Sequence, residues 1–95
     1  MPQSTARFAT TDGRSYLTRL CKHFGHRIEV EHGDDNGVCR FAEFTVTLAA
    51  DDAGLDITVA AADPDALGQG EEVLESHLMR FAFREPKPLA WAKAA

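Results

Sequence analysis

The sequence contains no apolar run approaching the roughly 20 residues that cross a bilayer as a helix. Its start, Met1-Pro2-Gln3-Ser4, has neither the basic residues nor the apolar stretch of a signal peptide. No membrane helix and no export leader are therefore expected, and the chain points to the cytoplasm. Cysteine is scarce: only Cys21 and Cys39 occur, outside any CxxC pair, so they read as reduced thiols rather than as a disulfide framework. There is no nucleophile elbow, no HExxH and no facial-triad pattern, and Gly68 and Gly70 lead into Glu71 and Glu72 instead of the Lys-Ser/Thr of a phosphate loop. These absences remove the familiar hydrolase, metalloprotease and nucleotide-binding signatures. Internal repeats, low-complexity tracts and interdomain linkers are also missing.

What is present suffices for a modest core. At 95 residues the chain is expected to form one domain over 1–95, because two halves would each be too small to bury enough apolar surface. A domain of this size buries roughly 60 to 65% of the surface its unfolded chain exposes.

The net charge of -5 hides a segregation along the chain. Up to residue 27, Arg7, Arg14, Arg19, Lys22 and Arg27 stand against Asp12 alone. Between 28 and 75, thirteen acidic residues stand against Arg40. Thereafter Arg80, Arg84, Lys87 and Lys93 stand against Glu85. An acidic middle repels phosphates wherever it lies near the basic ends, which argues against nucleic-acid binding while permitting a local anion or partner site. The plainer reading is charge complementarity between helix and sheet surfaces.

Hydrophobic spacing supplies the elements. Ala6 to Thr10 reads as a short strand ended by Thr11-Asp12-Gly13, with Asp12 or Thr11 able to cap a helix from about Arg14 to Phe24. Tyr16, Leu17, Leu20, Cys21 and Phe24 form one apolar stripe at helical period, and Gly25 is placed to end the helix in the left-handed conformation. Past Arg27 the period changes to two: Ile28 and Val30 alternate with Glu29 and Glu31, a strand begins at Val38, and Phe44, Val46 and Leu48 alternate with Thr45 and Thr47. Turns are expected at 32–37, at Ala42-Glu43 and at Asp51-Asp52-Ala53-Gly54, after which Leu55, Ile57 and Val59 carry the last strand of the run. Asp63-Pro64-Asp65 starts a second helix whose inner face is Leu67, Leu74, Leu78 and Phe81. Gly68 and Gly70 weaken it by roughly 1 kcal/mol each relative to alanine, and are expected to let it approach the sheet. Leu89 and Trp91 are candidates for a short edge strand in an extended tail. The expected fold is α+β: an antiparallel sheet with two helices on one face, in the order strand, helix, three-strand meander, helix and an optional last strand.

Two blocks, Tyr16-Leu17 to Leu20-Cys21-Lys22-His23-Phe24 with His26, and His77-Leu78-Met79-Arg80-Phe81-Ala82-Phe83-Arg84-Glu85, resemble the bacterial family called domain of unknown function 2218. The resemblance covers almost the whole chain and implies no activity. Related domains accompany siderophore-interacting reductases, so it implies a link to iron handling. The glycine-containing turn usual in that family between the second and third meander strands is replaced here by Ala42-Glu43.

The best candidate for a functional side chain is His23. With Arg19, Lys22 and Arg27 it makes a basic helix end able to dock a small anionic ligand or an acidic protein partner, unless it only complements the helix dipole. An alternative is a zinc or iron site on His23, His26 and His77, with His32 as another potential ligand. Cys21 and His23 diverge by about 200° on a helix and cannot share an ion. Both cysteines sit on apolar stripes and read as small hydrophobes. His77 reads either as a partner of His23 or as a border histidine bonded to a backbone carbonyl. Catalysis is not expected; a small enzyme would need His23, His77 and an acid to converge. No cofactor is expected outside the zinc or iron alternative. Monomer and homodimer both stay open, the uncovered sheet face being wet through Glu29, Glu31, Thr45 and Thr47.

Overall fold

The alternation of Phe44-Val46-Leu48-Ala50 and Leu55-Ile57-Val59-Ala61 produces two long neighbouring strands, in which these side chains are buried and their neighbours face outward. In the computed structural model, which describes residues 2–94, they are β4 (Phe44–Asp51) and β5 (Gly54–Ala61). They pair antiparallel with Val46 opposite Val59 and Leu48 opposite Ile57. Around them stand β1 (Gln3–Ala9), α1 (Gly13–Phe24), β2 (Glu29–His32), β3 (Asn36–Arg40), α2 (Pro64–Phe81) and β6 (Ala92–Ala94). The sheet has six antiparallel strands in the order β2-β3-β4-β5-β1-β6.

Both helices cover the same sheet face. The stripe Tyr16, Leu17, Leu20, Cys21 and Phe24 of α1 is buried over β2 to β5, and Leu67, Leu74 and Leu78 of α2 are buried over β5, β4 and β1. The opposite face carries Thr5, Arg7, Arg40, Thr47 and Asp56 to solvent. No helix among the described residues is long and apolar enough to cross a membrane.

The α2 start follows the sequence closely. Asp63 accepts a hydrogen bond from the Ala66 amide at 2.8 Å, Pro64 opens the helix, and Asp65 lies in its first turn. Gly70 is where helix meets sheet: a methyl there would come within 2.6 Å of Val59 Cγ1 and 2.9 Å of Phe44 Cδ1. Gly68 faces open space, so only one of the two glycines serves the close approach.

Other expectations are corrected. The run between the helices holds four strands where a three-strand meander was expected: the three expected turns all form, the one at Ala42-Glu43 closed by the Phe41 amide on the Phe44 carbonyl at 3.0 Å, and the segment before the first of them, Glu29–His32, pairs as a strand of its own. Asp12 occupies the N-cap of α1 without a side-chain cap bond; its own amide instead donates to Thr10 Oγ1. Gly25 stays right-handed, with φ -62°, and the chain turns into β2 through bonds from the Arg27 and Ile28 amides to the Phe24 carbonyl. No described residue has positive φ. The edge strand is Ala92–Ala94 on β1, three residues beyond the expected start at Leu89. Leu89 and Trp91 pack on α2 instead, where the Leu89 amide and Trp91 Nε1 donate to Glu75.

Candidate functional site

Helix α1 ends beside the C-terminal part of α2, and the two histidines meet there. The His23 and His77 ring centroids are 5.0 Å apart, and His23 also lies edge-on to Phe24 at 5.5 Å and Phe81 at 6.1 Å. The His77 Nδ1–H donates to the Val73 carbonyl at 2.7 Å, one helical turn back. Because a carbonyl can only accept, this contact sets the neutral ring's tautomer and leaves Nε2 without that proton. Both readings of His77 thus hold together: it bonds a backbone carbonyl and it partners His23.

Below the imidazoles is an aromatic floor. Phe24 and Phe41 lie edge to face at 5.1 Å, and Phe41 stacks on Phe44 at 4.5 Å. His23, Phe24, Arg27, Ile28, Phe41, Val73, His77 and Arg80 line a cleft of about 440 Å³. No carboxylate is among those lining residues. Among the described residues neither Arg27 nor Arg80 forms an ion pair; the bridges involve Arg7, Arg14, Arg40 and Lys93. Partial burial, then His77, Arg80, His26 and Arg27 in that order, hold the His23 imidazolium below the usual histidine range. The cleft is therefore a positively biased site that disfavours the charged form of His23.

The basic set named from sequence is divided by the fold. His23 and Arg27 enter the cleft, whereas Lys22 is exposed and lies outside it. Arg19 belongs to a different hollow with Asp12, Tyr16, Phe83, Arg84 and Glu85. There the Tyr16 hydroxyl and Thr10 Oγ1 donate to Glu85, and burial together with that carboxylate pushes Tyr16 up to about 12. His26 is exposed in the turn after α1 and His32 is exposed on β2. Among the described residues no three His, Cys, Asp or Glu side chains converge as a metal-ligand set.

Arg80 and Phe41 were missed as site residues. Arg80 follows His77 by three positions, a spacing that shares a helix face, so that signal was present. Phe41 reaches the site from a strand end and left no local signal.

The two cysteines also meet. Both are free and buried, and they neighbour each other across the α1–β3 contact. The Cys21 sulfur rests on β3 so closely that a methyl at Gly37 would come within 2.7 Å of it.

Comparison with known proteins adds fold and kinship. The sequence pattern of the family described as "Uncharacterized protein conserved in bacteria", DUF2218, matches residues 5–92. The NMR structure of PA4090 from Pseudomonas aeruginosa is similar with a TM-score of 0.83 at 33% identity, over 97% of this chain and 96% of that one. No curated protein matches the chain.

Proposed function

This chain belongs to the uncharacterised bacterial family DUF2218, and from that premise we propose that it is a cytoplasmic, non-catalytic binding module holding a small anion with an apolar body between α1 and α2. The observation carrying this reading is a cleft with two arginines that have no carboxylate partner among the described residues, beside an aromatic floor. Its volume of about 440 Å³ falls in the range of small-molecule sites. Guanidinium groups bind carboxylate or phosphate through charge-assisted bonds of about 1.5–3 kcal/mol each, and the rings supply apolar contact for the rest of the ligand.

Geometry also favours this over a bare metal ion. Two imidazoles 5.0 Å apart could share an ion, but Arg27 and Arg80 oppose a cation and His26 does not complete the set. An anionic iron chelate carrying aromatic groups would suit the same cleft, and this is the form in which we retain the iron reading. The histidine pair has no acid beside it in the cleft, which leaves an enzymatic role without a proton-relay partner.

The test is an NMR titration with benzoate, phenyl phosphate and uncharged benzamide. At about millimolar concentration an aryl anion should saturably shift His23, Phe41 and His77 resonances while benzamide does not. Reversing Arg27→Glu and Arg80→Glu together should weaken binding at least about tenfold. Equal response to benzamide, or unchanged affinity in the double variant, overturns the reading. Zn²⁺ and Fe²⁺ in parallel titrations separate the metal alternative: saturable perturbation by a bare ion, with none by the aryl anions, would favour it instead.

A further inference from the structure

We infer that Cys21 and Cys39 form a peroxide-reactive dithiol, in which the facing thiols close to a disulfide between α1 and β3 and Cys21 is the attacking sulfur. The inference is independent of the cleft reading. Its basis is the placement of both sulfurs at one point of the interior. Gly37 and Cys39 lie two apart on β3, both buried toward the helices. Gly37 has no side chain to hold α1 away, so the Cys21 sulfur reaches the strand backbone, and Cys39 is the next inward-facing residue beside it. A cysteine in the interior is usually a small hydrophobe. Two that face each other across one helix–strand contact are placed for exchange.

The attacking sulfur is the thiol that ionises first. The neighbouring Cys21 and burial push Cys39 up, while the neighbouring Cys39 lowers Cys21 against its own burial. His32, which lies opposite Gly37 in the β2–β3 pairing, adds a nearby group whose charge favours the Cys21 thiolate. The oxidant is a hydroperoxide. The Cys21 thiolate attacks one peroxide oxygen, forming the sulfenic acid as the O–O bond breaks and hydroxide leaves to become water. The Cys39 sulfur then attacks the sulfenic sulfur; the S–S bond forms, the S–O bond breaks and a second water leaves. Two thiols lose two electrons in all, and one hydrogen peroxide is reduced to two waters.

Both sulfurs are buried, so reaction needs local opening. Beside β3 lies an edge strand, β2, whose Val30 stands opposite Cys39; it is four residues long, with three exposed, and turns through the exposed Gly33–Asp35. Short edge hairpins of this kind open well below the free energy of global unfolding.

The experiment exposes the full chain to hydrogen peroxide and reads intact mass and a non-reducing tryptic map. Cys21 falls in the peptide Leu20–Lys22 and Cys39 in Ile28–Arg40, so an internal link joins two separate peptides. A 2 Da loss with those peptides joined, at a rate that rises with pH, is the expected result. In Cys39→Ser the reaction should stop at a sulfenic acid on Cys21, trapped by dimedone, and Cys21→Ser should react at least about tenfold more slowly. Circular dichroism checks that both variants fold, and the wild-type map decides the linkage without them. Three results would overturn the inference: thiols that stay free while cysteine in the same tube is consumed, links only between molecules, or reaction only at denaturant concentrations that unfold the domain.

Discussion

The two faces of this molecule handle positive charge in opposite ways. On the uncovered sheet face Arg7 bridges Asp51 and Asp56 at 2.9 Å, and Arg40 bridges Glu31 at 2.7 Å and Glu29 at 3.3 Å. Two of these partners are dictated by register, since Arg7 lies opposite Asp56 and Arg40 opposite Glu29. On the helix side Arg27 and Arg80 converge from two elements on an apolar floor, without a carboxylate. A charge whose neighbours are set by strand pairing is neutralised as the sheet forms. A charge at a helix end is free to serve something else.

The largest way to sharpen this contrast is through packing. Gly70→Ala, on the helix side, forces a methyl into Val59 and Phe44 and should destabilise the fold by about 1–3 kcal/mol. Gly68→Ala on the same helix meets nothing and should stabilise by up to about 1 kcal/mol. Urea unfolding of the pair measures both; equal effects would mean that α2 does not seat on the sheet at Gly70.

Next comes the field inside the cleft. His23 should titrate below the ordinary value of about 6.5, and Arg80→Gln should move it back toward that value, as followed by imidazole NMR. A histidine lowered in the folded state takes up its proton more readily when unfolded. Its contribution to stability is therefore complete above about pH 6.5 and is lost as pH falls through the lowered folded value. A His23 midpoint unmoved by Arg80→Gln would remove Arg80 from the site.

The smallest effect belongs to the paired face. Arg7→Ala and Arg40→Ala should leave aryl-anion binding unchanged and alter thermal stability only slightly, with the difference shrinking further in high salt. Loss of anion binding in either variant would break the contrast between the faces.

Much of the fold was legible because its signals are local. The period of two in β4 and β5, the period of 3.6 in α1, and the Asp63-Pro64 start of α2 each depend on residues within a few positions of one another. The errors arose where distant contacts intervened. Asp12 gives up the cap as Thr10, which bonds its amide, is drawn to Glu85. Gly25 keeps a right-handed turn because the Arg27 and Ile28 amides take the Phe24 carbonyl as the chain enters β2. Leu89 and Trp91 leave strand pairing to Ala92–Ala94 because Glu75 on α2 holds them.

By itself the sequence determined an α+β domain with one wet and one covered sheet face, two helix ends rich in basic and imidazole groups, and two cysteines on apolar stripes. Tertiary structure alone decided which of those groups come together: His23 against His77, Arg27 and Arg80 around one cleft with Phe41, and Cys21 beside Cys39. Periodicity and capping are set by neighbours along the chain. Convergence depends on where packing brings one element against another, and residues far apart in sequence carry no local mark of it.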